Sequence, residues 1–186
     1  MMFNEPYVIR KHLLDRRFAS CLYHMLVLRQ WRGEFKRDDQ VPGAASHWGD
    51  AILDATLLVL LPEIERCSGF SLLPTYAYAR LYKKGDALAR HRDREACEVA
   101  VTIHLGSQGG EPPPICFEPD IAVDQKPGDA VIYLGDQLEH WRDPYLGRDF
   151  GQLFLNFVRK DGDRSHRVYD GRINAFPPKV MEERFG

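Results

Sequence analysis

The chain has 186 residues, 44% of them hydrophobic, which suffices for one well-buried domain and is short for two. A formal net charge of −2 and an isoelectric point of about 6.4 give no chain-wide electrostatic footprint for nucleic acid, so a nucleic-acid partner is not expected. Four widely spaced cysteines (Cys21, Cys67, Cys97, Cys116), no cleavable signal sequence and no apolar run of bilayer-spanning length predict a soluble, cytoplasmic protein with reduced thiols.

From Val8 to about Arg32, the spacing of Leu13, Leu14, Phe18, Leu22, Met25, Leu26 and Leu28 predicts an amphipathic helix with Asp15 as a cap. Arg10-Lys11 with Arg16-Arg17, and Arg29, Arg32, Lys36 and Arg37, read as a solvated helix face and a charged loop. The polar stretch 33–46, with Pro42-Gly43, reads as that loop. A second helix is expected over Asp50 to Arg66, capped by Asp50, kinked or restarted at Pro62 and ended by Gly69.

Beyond Leu72 the helical period gives way to short strands separated by turns. They are expected at Tyr76 to Lys83, Cys97 to Leu105, Pro114 to Glu118, Ile121 to Asp124, Ala130 to Tyr133 and Gln152 to Arg159. Helices followed by many strands predict a mainly β, α+β architecture: a sandwich or jelly roll with two helices covering one sheet. The expected organisation is one domain over 1–186, with helical support about 8–69, a β core about 72–159 and a tail 160–186.

The segment Leu73 to Gly106 carries the chemistry. Residues i and i+2 of an extended chain share a side, so His91 and Asp93 can meet one metal ion while Arg92 points away. One more histidine would complete a two-histidine, one-carboxylate set with open positions, a preference of Fe(II). By itself an H-x-D is a weak signal. His140 is the candidate third ligand, because it follows the turn Pro127-Gly128-Asp129 and the short apolar strand Ala130 to Tyr133.

The ordered run Tyr82-x-x-Gly85-x-x-Leu88-x-x-His91-x-Asp93, a strand, Pro127-Gly128-Asp129-Ala130-x-Ile132-Tyr133 and His140 resembles the iron(II)- and 2-oxoglutarate-dependent dioxygenases of the prolyl-4-hydroxylase-like branch. The resemblance covers roughly Leu73 to Val158. It implies a double-stranded β-helix in which His91, Asp93 and His140 hold Fe(II), with 2-oxoglutarate and O2 as co-substrates and hydroxylation of a small molecule or peptide residue as the outcome. It also implies a cation for the distal carboxylate of 2-oxoglutarate. Arg148 fits that place, Arg142 is the first alternative, and Gln152 is a neutral donor. Tyr82, and His104 with Thr102 on the next strand, are implied to face the co-substrate. Glu139, Trp141 and Arg142 flank the second histidine as possible orienting or walling groups. Two rival readings use the same residues: a cupin-like isomerase or lyase without 2-oxoglutarate, and a non-catalytic β-sandwich that binds a partner.

Overall fold

The structure is a computed structural model that describes residues 6–172. Strand β1 (Tyr7–Arg10) precedes helix α1 (Arg16–Trp31). Asp15 does cap α1: its carboxylate accepts from the backbone N–H groups of Arg17 and Phe18 at 2.9 and 3.2 Å, satisfying donors that a helix start leaves open. The helix does not reach back to Val8. Val8 and Ile9 are β-branched residues lying opposite Ile132 and Val131, and a sheet edge claims them instead.

Two further short strands, β2 (Lys36–Arg37) and β3 (Ala45–Trp48), replace part of the expected loop. Helix α2 (Ala51–Ser68) starts at the Asp50 cap, passes through Pro62 without dividing, and ends at Gly69, whose φ of 74° suits glycine. The remaining strands are β4 (Leu72–Lys83), β5 (Leu88–His91), β6 (Val99–Gln108), β7 (Ile115–Phe117), β8 (Ile121–Val123), β9 (Ala130–Tyr133), β10 (His140–Arg142) and β11 (Asp149–Arg159).

They form two antiparallel sheets, one ordered β1-β9-β6-β11-β4-β3-β2 and the other β5-β10-β7-β8. From β4 to β11 the chain crosses between the sheets at every connection except β7 to β8. That winding makes a double-stranded β-helix.

The larger sheet has two unlike faces, as the period of two requires. On one face, Ala77, Ala79 and Leu81 of β4, Val101, Ile103 and Leu105 of β6, Ile132 of β9, and Leu153, Leu155 and Phe157 of β11 share a core with Leu22 and Leu26 of α1 and Leu53, Leu57 and Ile64 of α2. The opposite face carries Tyr76, Tyr78, Arg80, Thr102, His104, Gln152 and Asn156, and it looks toward the smaller sheet. Small residues let α1 sit close: a Cβ on Gly106 would come within 3.1 Å of the Tyr23 ring, and one on Gly151 would do the same.

All four cysteines are free. No helix among the described residues is long and apolar enough to cross a membrane. The described part of the tail, 160–172, is tied down by Arg172, which donates to Asp54 at 2.9 Å and to the Thr75 carbonyl at 3.0 Å. The rest of the expected tail lies outside the described residues.

Replacing the helix cap tests this reading of α1. Asp15→Ala is expected to lower unfolding free energy by about 1 kcal/mol, seen as a lower urea midpoint at unchanged slope.

Candidate metal centre and its cavity

His91 ends β5 and His140 begins β10, and the two lie directly opposite each other in the antiparallel pairing of those strands. Their ring centroids are 4.3 Å apart. Asp93 follows just past the end of β5, held by a hydrogen bond from its N–H to the Gly135 carbonyl at 2.8 Å. Its carboxylate oxygens lie 3.4 Å from His91 Nε2 and 3.8 Å from His140 Nε2. One donor atom from each of the three residues falls within 4.8 Å of the others, close enough for all three to meet at one ion.

The tautomers also suit a metal. The Nδ1 atoms of His91 and His140 are 2.9 and 3.0 Å from the carbonyls of Ala89 and Leu138, so the proton belongs on Nδ1 and the Nε2 lone pair faces the carboxylate. Tyr133, buried and lining the same cavity, places its hydroxyl 3.2 Å from His140 Nε2. Burial holds the His140 pKa below its ordinary value. At His91 burial also opposes protonation, but the Asp93 carboxylate and the Ala89 carbonyl outweigh it and raise the pKa. Gly135 is required here: a Cβ would stand 2.5 Å from Asp93 Oδ2 and 2.6 Å from the Cys97 carbonyl.

The three residues line a cavity of about 620 Å³ between the sheets, a size typical of small-molecule sites. Arg142, two residues beyond His140 on β10, lines it too and is buried. Its guanidinium donates to the Pro113 carbonyl and to Gln125 Oε1, both at 2.7 Å, while its Nε has no hydrogen-bond partner. No carboxylate pairs with it among the described residues. Gln152 continues the polar cluster behind Arg142, donating to Thr102 Oγ1 at 2.8 Å and to Gln125 Oε1 at 3.0 Å. His104 lies opposite Gln152 in the strand pairing. Neither His104 ring nitrogen has a well-formed hydrogen bond, and burial followed by the nearby Arg142 charge pushes its pKa down to about 4.

No protein-family model matches the sequence, and no curated protein sequence does either. Solved structures do. A prolyl-4-hydroxylase of Pseudomonas putida superposes with a TM-score of 0.67 at 22% identity, covering 84% of this chain and 94% of its own. The fold is that of the prolyl-4-hydroxylase-like 2-oxoglutarate oxygenases. A viral collagen prolyl hydroxylase of Paramecium bursaria Chlorella virus-1, solved as a 2-oxoglutarate complex, gives 0.63 at 12% identity, covering 83% of this chain and 96% of that one. HygX of Streptomyces hygroscopicus, solved with nickel and 2-oxoglutarate bound, gives 0.63 at 12%, covering 84% of each.

Within this oxygenase fold the expected site residues divide. His91, Asp93 and His140 come together, and Thr102 and His104 sit in the polar cluster beside Arg142. Arg148 does not reach the cavity; its side chain is 65% exposed and pairs with Asp149 at 3.2 Å. It sits in the turn before β11, where Gly109 packs against its backbone. The inward position it was expected to serve is held by Phe150, stacked on Tyr82 at 4.3 Å. Tyr82 is fully buried in that stack, and its hydroxyl accepts from Arg80 at 2.7 Å. Trp141 lies under the Arg90 guanidinium, outside the cavity lining. Arg80, Gln125, Gly135 and the loop residue Asp38 went unread. Arg80 alone left a sequence signal, as the one cation in the alternation Tyr76, Tyr78, Arg80, Tyr82.

Two outcomes follow from this geometry. Gly135→Ala should fold but lose the rise in melting temperature that Mn(II) gives the wild type, because the new methyl displaces the Asp93 carboxylate. His104 is neutral when folded and titrates at about 6.5 when unfolded, so its stabilisation is present above pH 6.5 and lost as pH falls toward 4. The loss is on the order of 3 kcal/mol at most, and a His104→Gln variant should show a flatter stability profile over that window.

Proposed function

We propose that the protein is an Fe(II)- and 2-oxoglutarate-dependent oxygenase, with His91, Asp93 and His140 as the metal ligands. The observation that carries this reading is a three-donor site with an uncompensated arginine beside it on the same strand. Two imidazoles and one carboxylate on one side of an ion leave positions open, the arrangement favoured by non-haem Fe(II) oxygenases. Iron and 2-oxoglutarate, when bound, supply oxidation of a substrate C–H bond by O2, with 2-oxoglutarate leaving as succinate and CO2.

The chain's own residues define where the co-substrate lies. Burying a guanidinium without a counter-charge is costly, so the Arg142 site is built for an anion that arrives later. Arg142 and His140 are two residues apart on β10 and face the same way, about 7 Å along the strand. That spacing suits a short diacid with one end at the metal and the other at the guanidinium, whose fork matches a carboxylate. Gln125 holds the guanidinium, Gln152 holds Gln125, and Thr102 holds Gln152, so the cation is oriented before the anion binds. His104, kept neutral, adds no competing charge. Arg142 thus takes the role expected of Arg148. This also favours the oxygenase over a cupin-like enzyme without 2-oxoglutarate, which has no use for a cation there.

The bound 2-oxoglutarate and nickel in structures of the same fold support the choice of metal and co-substrate. We take hydroxylation as the reaction and a small molecule or peptide residue as the substrate; the relatives include a prolyl hydroxylase solved with a peptide fragment and HygX solved with hygromycin B.

Ligand-induced stabilisation separates the roles, since saturation at a hundred times Kd adds about 2.7 kcal/mol. Mn(II) should raise the wild-type melting temperature and 2-oxoglutarate should raise it further. Arg142→Met should keep the first step and lose the second, while Arg148→Ser should keep both. The opposite pattern in the two arginine variants would return the co-substrate to Arg148.

A further inference from the structure

The cavity wall facing the metal ligands is aromatic, and its mouth is basic. Tyr76 and Tyr78 of β4 and Phe154 of β11 form a ladder of near-parallel rings, with centroids 5.9 Å apart for Tyr76–Tyr78 and 4.5 Å for Tyr78–Phe154. Trp48 continues it outward, 6.2 Å from Tyr76. The Tyr78 hydroxyl has no partner among the described residues, although the ring is half-buried beside Asp93. Asn156 lies next to Tyr76 and also lines the cavity.

The charges around this wall are lopsided. Lys36, Arg37, Arg80, Arg92, Arg94 and Arg142 line the cavity against Asp38, Asp39 and Asp93, in a chain whose formal net charge is −2. Asp38 is taken by Arg80 at 2.7 Å, and Asp93 belongs to the metal. Arg94 is held by Asp170, and Arg92 meets Glu118 only at 3.5 Å, both groups being half-exposed. Lys36 and Arg37, on β2 at the mouth, have no ion-pair partner among the described residues. Asp39 is the one exposed carboxylate in the lining. Binding 2-oxoglutarate leaves this balance nearly unchanged, because the diacid cancels the charge of the iron it joins.

Resting on the oxygenase reading, we infer that the substrate is an anionic aromatic small molecule. Its ring lies on the Tyr76–Tyr78 wall and its negative group faces Lys36 and Arg37. The ladder's ring faces are taken up by its own stacking and by the Arg80 and Arg94 guanidinium groups, so a substrate ring meets ring edges, a contact that tolerates many ring types, and the basic mouth selects charge and raises the local concentration of anions. The cavity volume, shared with the co-substrate, fits a molecule of one or two rings better than a folded chain. A cationic aromatic would meet Lys36, Arg37 and Arg92 unfavourably, and an aliphatic anion would leave the wall unused.

Three probes that share a ring and differ in charge test this: indole-3-propionate, its neutral amide, and tryptamine. Each is titrated calorimetrically into protein loaded with Mn(II) and 2-oxoglutarate. The acid is expected to bind at least tenfold more tightly than the amide, with tryptamine weaker still. The double variant Lys36→Ser with Arg37→Ser should lose about tenfold for the acid, and Tyr78→Leu should weaken acid and amide alike. Equal affinity for acid and amide, or an unaffected double variant, overturns the inference. So does tighter binding of hexaglutamate or of a short oligothymidylate than of the acid. The Mn(II) and 2-oxoglutarate melting shifts on the same samples keep the two readings apart. If those shifts fail, the oxygenase reading fails; if they hold and the acid does not bind, only the substrate class is wrong.

Discussion

Everything at the centre of this molecule depends on one cross-strand pairing. β5 and β10 run antiparallel so that His91 and His140 stand opposite each other, and strand pairing fixes that register wherever one face is buried. With the two rings set, the third donor needs only a short continuation of the chain beyond β5. Gly135 provides the space for it and its carbonyl provides the anchor. A slip of one residue in β10 would turn both His140 and Arg142 out of the cavity together.

The larger sheet separates two jobs between its faces. Alanine, leucine, valine and isoleucine point to the helices and supply the core, while tyrosines, arginine, glutamine, histidine and asparagine point inward. Such an interior is expensive unless its polar groups are paired. Most are paired. Most of the unpartnered atoms cluster around Arg142: its Nε, both His104 nitrogens and Gln152 Oε1. Stability given up at a functional site in this way is common.

Much of this was legible in the sequence. Alternation along Tyr76 to Lys83 and along the strand after Asp93 assigned faces correctly, because a period of two holds wherever a strand runs without a bulge. The Asp15 and Asp50 caps and the Gly69 stop were local chemistry and held. The strands missed were the short or edge ones, β1, β2, β3, β5 and β10. Two to four residues carry little periodicity, and their partners, such as Ile132 for Val8, are remote in the chain. The arginine proposed to receive the co-substrate was harder to single out for a different reason. Spacing after His140 favoured Arg148, yet the turn before β11 directs that residue outward and Phe150 inward, which depends on where the strand begins. Arg142 was distinguishable only by its burial and its lack of a counter-charge, and neither can be counted along a sequence. Asp38 reaches Arg80 from a loop whose polar composition gave no hint of a partner inside the cavity.

The central claim is that these three residues hold an iron ion on which 2-oxoglutarate chelates, and one optical measurement addresses it. Anaerobic addition of Fe(II) and then 2-oxoglutarate to the metal-free protein should produce the weak visible charge-transfer band of a chelated keto acid. The band should be present in wild type and absent in Asp93→Ala. Iron uptake without the band in wild type, or an undiminished band in Asp93→Ala, would contradict the account.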